Sequence, residues 1–167
     1  MITDMDRYID IGVNLTGSSF KQDLPEVIER AQMVGVEKMV VTGTDIDHSA
    51  QALALSERYQ GVCYSTAGVH PHHASDYSSA VDSEIRDMLV QPGVVAVGEC
   101  GLDFNRNFST RSEQIGAFES QLEIAIDTGM PVFLHQRDAH DDFVAMIKSC
   151  RDDLGQLVAH CFTGSID

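Results

Sequence analysis

Apolar positions in this chain alternate between two rhythms: short Val/Ile-rich runs, and longer stretches in which they recur every three or four residues. The short runs predict strands beginning at about Tyr8 (YIDIGV), Lys38 (KMVVTG), Val62 (VCYSTAGV), Val94 (VVAVGE), Pro131 (PVFLH) and Gln156 (QLVAHC). Between the first two, Leu24, Val27, Ile28, Ala31 and Val34 form one helical stripe, and Gly35 follows as a stop signal. A second helix carries Ala50, Leu53, Ala54 and Tyr59, with Asp47 as its expected cap. Asp82 to Leu89, Glu113 to Thr128 and Ala139 to Cys150 continue the series, the last with Asp138 as its expected N-cap.

Alternating strand and helix excludes all-α and all-β domains and leaves a doubly wound sheet or a TIM-type (β/α) barrel. No G-x-G-x-x-G or Walker loop follows any strand. A His or an acid stands at the carboxyl end of strand after strand, which is how barrel enzymes assemble their sites, so the barrel is favoured. Strands recur about every 30 residues, so eight units would need roughly 240. The expectation is an incomplete barrel of about six of eight βα units, one truncated domain over residues 1–167, with open strand edges that invite association.

Composition changes this picture in four places. At 167 residues and 43% hydrophobic, the chain has enough material for one sizeable core. The opening MITDMDRYIDIGV carries acids where a secretory signal carries Lys or Arg, and no run of about 18 apolar residues occurs. The expectation is a cytoplasmic protein with no membrane partner and no evident obligate protein partner. Cys63, Cys100, Cys150 and Cys161 lie far apart without a C-x-x-C spacing and are read as buried free thiols. Lys and Arg number 11 against 26 Asp and Glu, a formal charge of −15 that repels polyanions at long range. Such a chain handles phosphates only if a bound divalent metal supplies local positive charge.

Five side chains of metal-ligand type stand at predicted strand ends: His70 and His72 in GVHPHH, Glu99 in GECGLDF, His135 in FLHQRD and His160 in AHCFTG. Any one of these histidines alone is more often an ordinary packed or surface residue, and the weight lies in their conjunction. Imidazole and carboxylate without thiolate suit Zn, Mn, Co or, with more oxygens and waters, Mg. A dication held there would lower the pKa of its water and polarise the oxygen under attack. Nucleophilic catalysis finds little support, since the Ser18-Ser19 pair lacks a G-x-S-x-G context. His48, His73 and His140 fall in helix starts or loops and are read as surface residues. Phe104 and Phe108 could stack on bases, although core or loop anchoring is the commoner use.

DIGVNLT, TAGVHPH, VGECGLDFNRNFST, HQRDAH and HCFTG resemble the successive motifs of TatD-related DNases over the whole chain, and GECGLDFNRNFST is the most specific of them. The resemblance implies a TIM barrel of the metal-dependent hydrolase superfamily and a 3′-to-5′ exonuclease acting on single-stranded DNA and RNA, usually with Mg²⁺, Zn²⁺ and Mn²⁺ being alternatives. It implies Glu99, His135 and His160 as metal ligands, Glu99 being able to bridge two ions. It implies His70 and His72, with Glu99, as the catalytic groups near the substrate phosphate. Asp103, Asn105, Arg106 and Asn107 would line the substrate groove, and Arg137 would meet a phosphate oxygen, with salt-bridge or turn roles equally open.

Two departures qualify the transfer. The wider superfamily carries D-x-H-x-H on its first strand, whereas Asp10, Gly12 and Asn14 occupy those positions here, as in the bacterial branch. A first metal site is therefore expected to be weak or absent, or held through the oxygens of Asp10 and Asn14. The family's catalytic Asp lies in an E-T-D motif that would fall beyond Asp167, so a catalytically impaired fragment is one competing expectation. The other is an amidohydrolase-like enzyme for amide or lactone bonds. The absence of a first-strand His pair, and of a lysine at the Glu99 position, counts against it.

Overall fold

Strand order separates the two parallel folds left open by the sequence. In the computed structural model, which describes residues 7–160, β1 (Tyr8–Val13), β2 (Val36–Val41), β3 (Cys63–Ala67), β4 (Val94–Asp103), β5 (Val132–Arg137) and β6 (Leu157–Ala159) form one sheet. They pair in chain order, and every pairing is parallel. A doubly wound sheet reverses its order at a switch point. An order that never reverses keeps all right-handed crossovers on one face, so the sheet curls about the other. The curl brings β1 across to β6: a Cβ built on Gly12 would stand 3.2 Å from the Phe133 ring and 3.4 Å from His160 Nδ1. The result is a half-barrel, unpaired between β1 and β6 among the described residues, with Ile9, Ile11 and Val158 exposed along it.

Helices α1 (Leu24–Met33), α2 (Ile46–Arg58), α3 (Ser79–Leu89), α4 (Arg111–Thr128) and α5 (His140–Cys150) cross between successive strands. Their apolar stripes bury two cores. One packs Ile28 and Ala52 of α1 and α2 on Met39, Val41 and Cys63; the other packs Ile85, Phe118, Leu122 and Phe143 on Val97, Leu102, Val132 and Leu134. The stop after α1 is the expected Gly35, whose φ of 95° suits a residue without Cβ.

Capping chemistry corrects several predicted boundaries. Asp45, not Asp47, caps α2, its Oδ1 accepting the His48 N–H at 2.7 Å. Ser78 caps α3, which starts three residues before Asp82. Thr110 and Glu113 form a capping box on α4. Asp138 does not cap α5: its backbone is left-handed, with φ of 53°, and its carboxylate accepts from Asn105 Nδ2 at 2.8 Å instead. Cys63 and Cys100 are buried free thiols, Cys150 is only half-buried, and Cys161 lies outside the described residues.

Helix α4 buries two amides on the stripe that also carries Ala117, Phe118, Leu122 and Ala125. Gln121 Oε1 accepts the Val69 N–H at 2.7 Å, and its Nε2 donates to the Val69 carbonyl at 3.0 Å. Gln114 does the same for Asp103, accepting its N–H at 2.9 Å and donating to its carbonyl at 3.0 Å. Both are 0% exposed, so the backbone they hold has no water to fall back on. Gln121→Leu keeps the volume but strands one N–H and one carbonyl. It should lower unfolding stability by about 2–6 kcal/mol in urea denaturation, from roughly 1–3 kcal/mol per unmet buried group. An unchanged midpoint would refute this role.

Candidate metal centre

The carboxyl ends of β3 to β6 place their functional side chains at one rim. His70 follows β3, Glu99 lies within β4, His135 within β5, and His160 follows β6. Glu99 Oε1 stands 2.5 Å from His160 Nε2, 3.2 Å from His135 Nδ1 and 3.9 Å from His70 Nε2. Neighbouring ligands around an ion bound at about 2.0–2.2 Å lie roughly 3.0–3.4 Å apart; the Glu99–His135 separation matches this, while the Glu99–His160 contact is a short hydrogen bond that a cation would replace. One donor atom each from His70, Glu99 and His135 also falls within 4.8 Å of the others. The family of donors, two or three imidazoles and a carboxylate, is that of a divalent metal ion.

Glycine brings Glu99 there. Gly98 and Gly101 have φ of 130° and 141°, and a Cβ on them would meet the Phe133 and His135 carbonyl oxygens at 2.2 and 2.0 Å. Strand β4 therefore presses its backbone onto β5 on either side of the acid, and the Gly98–Glu99 peptide is cis. The Glu99 N–H donates to the Gly43 carbonyl at 2.8 Å.

Electrostatics separates the histidines. His70 Nδ1 accepts the His72 N–H at 3.1 Å, so neutral His70 carries its proton on Nε2, with no lone pair there to give a metal. Burial, only partly opposed by Glu99, pulls the His70 pKa down to about 3 and keeps the ring neutral. Glu99 is 6% exposed; burial opposes its ionisation, but the hydrogen bonds of His135 and His160 and the nearby His70 outweigh it and bring the carboxyl to about 2.

The remaining predicted residues divide into buried and exposed sets. Asp103, expected to line a substrate groove, is 1% exposed. Its Oδ1 accepts the N–H groups of Asn105 and Arg106 at 3.0 and 3.1 Å, and its Oδ2 meets His72 Nε2 at 2.8 Å. Burial works against its charge, yet these bonds hold its carboxyl below the usual range. Asn105, Arg106, Asn107 and Arg137 are exposed, Asn105 being tied to Asp138. Among the described residues neither Arg106 nor Arg137 joins an ion pair, unlike Arg7, Arg30, Arg86 and Arg111. Phe108 is 65% exposed with its ring edge-to-face on His72 at 4.9 Å, whereas Phe104 packs on the core beneath the Arg111 guanidinium.

Outside this rim, His48 Nδ1 bonds Asp45 at 2.7 Å, His73 Nε2 lies 3.9 Å from the same oxygen, and His140 is an exposed first residue of α5. Asp10 is exposed and accepts the Gly12 N–H at 3.2 Å. A cavity of about 420 Å³ beside Cys63 and Gly93 lies at the amino ends of β3 and β4, away from the cluster. Gln114 and Gln121 were missing from the sequence-based site. Their seven-residue spacing along the apolar stripe of α4 was the available signal.

Comparison with known proteins places these features in context. The family model described as TatD related DNase matches residues 9–167. The chain is 54% identical over 158 residues to the "3'-5' ssDNA/RNA exonuclease TatD" of Musicola paradisiaca, covering 95% of this chain and 60% of that protein. The Klebsiella pneumoniae protein of the same description is 54% identical over 156 residues, covering 93% and 59%. The crystal structure of YJJV, a TatD homologue from Escherichia coli, superposes with a TM-score of 0.85 at 34% identity, covering 95% of this chain and 61% of that one. An uncharacterized amidohydrolase from Saccharomyces cerevisiae gives 0.80 at 26% identity, covering 95% and 62%. The chain thus spans about 60% of the length of the curated relatives it matches.

Protonation of the cluster predicts acid sensitivity of the metal-free chain. Unfolded His70 takes up its proton near 6.5 and folded His70 only near 3, so between these values the unfolded state binds more protons. Stability complete above pH 6.5 should fall on acidification by up to roughly 1.4 kcal/mol per pH unit from this group. The Glu99 contribution, complete above 4.5, is lost as pH falls toward about 2. Denaturant midpoints against pH should fall less steeply between 6.5 and 4.5 in His70→Gln than in wild type, and parallel curves would contradict the assignment.

Proposed function

Because the chain belongs to the TatD-related DNase family, matched over residues 9–167, we propose that its rim cluster is part of a divalent-metal site for hydrolysing phosphodiesters. The substrate in this reading is single-stranded DNA or RNA, shortened from its 3′ end, as the names of the curated relatives describe those proteins. The observation that carries it is the convergence of His160 Nε2 and His135 Nδ1 on one Glu99 oxygen, at 2.5 and 3.2 Å. Because the chain spans about 60% of those relatives, the activity, substrate and partners of the whole protein all belong to the proposal.

Glu99, His135 and His160 would hold the ion, Mg²⁺ by resemblance, with Zn²⁺ or Mn²⁺ also suited to these donors. When bound, it supplies Lewis acidity, activating water and polarising the phosphoryl group. The protein's own groups do the rest. His70, neutral with its proton on Nε2, donates a hydrogen bond toward a phosphate oxygen beside Glu99. Arg106 and Arg137 offset the repulsion expected from a net charge of −15, and Arg137 suits bidentate contact. Phe108 offers its exposed face to a nucleobase next to His72. No described helix is long and apolar enough to cross a membrane.

A 5′-labelled single strand incubated with Mg²⁺ should shorten stepwise, and chelator should stop the reaction. Glu99→Gln should slow it at least about 100-fold, since even outer partners of metal ligands are worth about 10- to 100-fold. Chelator-resistant cleavage would reject the proposal. Turnover of an amide or lactone panel without nuclease activity would favour the amidohydrolase reading instead. Phe108→Ala should weaken oligonucleotide binding about 5- to 150-fold, corresponding to roughly 1–3 kcal/mol for one stacked base. Unchanged affinity would remove Phe108 from the groove.

A further inference from the structure

One carboxylate at this rim faces two of the histidines. Asp103 Oδ2 is 2.8 Å from His72 Nε2 and 3.4 Å from His135 Nε2. Its other oxygen is occupied by the N–H groups of Asn105 and Arg106, which fixes the rotation of the carboxylate. Its backbone is clamped at both ends by Gln114. At 1% exposure it cannot turn to solvent.

His135 poses a complementary problem. Its Nε2 is buried and has no hydrogen-bond partner among the described residues. Its Nδ1 faces Glu99 Oε1 at 3.2 Å, on the side where the cation would sit. A neutral imidazole whose Nδ1 lone pair goes to a metal must carry its proton on Nε2, and that proton then needs an acceptor. In the metal-free chain Nδ1–H donates to Glu99 Oε1; once a cation takes the Nδ1 lone pair, the proton on Nε2 faces Asp103 Oδ2 at 3.4 Å.

We propose that Asp103 is a positioning residue that fixes the proton on Nε2 of His72 and, once a cation replaces the Nδ1–H that His135 donates to Glu99, on Nε2 of His135 as well, leaving Nδ1 of His135 for the metal and Nδ1 of His72 as a lone pair. The His135 half rests on the metal-centre reading above; the His72 half does not. Asp103 thereby couples the two arms of the rim: the histidine after β3 and the histidine on β5 take their orientation from the same oxygen, Oδ2. The acid expected from sequence to touch substrate acts instead through the histidines that do.

Histidine tautomers can be read directly by long-range ¹⁵N–¹H spectra of the ¹⁵N-histidine-labelled chain at pH 8, before and after titration with Zn²⁺. His72 should show the Nε2–H form throughout, and His135 should show it in the Zn²⁺ form with the Nδ1 resonance displaced. Asp103→Asn keeps an oxygen for the Asn105 and Arg106 amides but turns an NH₂ group toward the rings. It should move His72 to the Nδ1–H form and weaken Zn²⁺ binding about 10- to 100-fold. A wild-type His72 with its proton on Nδ1, or Zn²⁺ bound through His135 Nε2, would overturn the proposal while leaving the metal centre standing, whether or not the variant folds. A titration that displaces no histidine signal would overturn the metal-centre reading and the His135 half with it, and His72 would still report on Asp103.

Discussion

An ionised carboxylate withdrawn from water is the constraint around which this half-barrel is organised. Glu99 is 6% exposed, and a charge so placed is tolerated only if its neighbours replace the lost hydration. His135 and His160 do so through hydrogen bonds, with Nε2 of the neutral His70 3.9 Å from the same oxygen. The three come from different strand ends, so the carboxylate is satisfied only when β3, β5 and β6 stand in register beside β4. The glycines either side of it allow β4 to approach β5 more closely than a side chain permits.

A second layer supports the first by backbone bonds rather than by apolar packing. Helix α4 spends two positions of its buried stripe on glutamines, one gripping Val69 next to His70 and the other gripping Asp103 beneath His72. An all-apolar stripe would pack as well but leave those peptide groups unmet. The same helix therefore stabilises the core and sets the height of the rim. Asp103, locked from below, orients imidazoles above it.

The first strand shows how local identity follows from the curl of the sheet. Where the wider superfamily is expected to carry a histidine, Gly12 lies so close to Phe133 and His160 that even a Cβ meets their rings at ordinary contact distance or less. A larger side chain there would displace His160, which Glu99 needs. The D-I-G-V-N form is thus matched to the position of a histidine almost 150 residues away in sequence, and Asp10 spends its carboxylate on the Gly12 N–H.

By itself the sequence determined the alternation of strands and helices, the stop at Gly35 and the histidines and acid at the strand ends, because each is written in local periodicity, backbone freedom or residue chemistry. His70, Glu99, His135 and His160 could all be singled out that way. Tertiary structure alone decided which nitrogen of each histidine faces the acid, that the buried Asp103 turns one oxygen to His72 and His135, and that Asp45 caps a helix where Asp47 was expected. It also decided that Gln114 and Gln121 belong to the site. Those outcomes depend on hydrogen bonds between segments distant in sequence, and a pattern of residue types along one segment carries no record of the partner that will be folded against it.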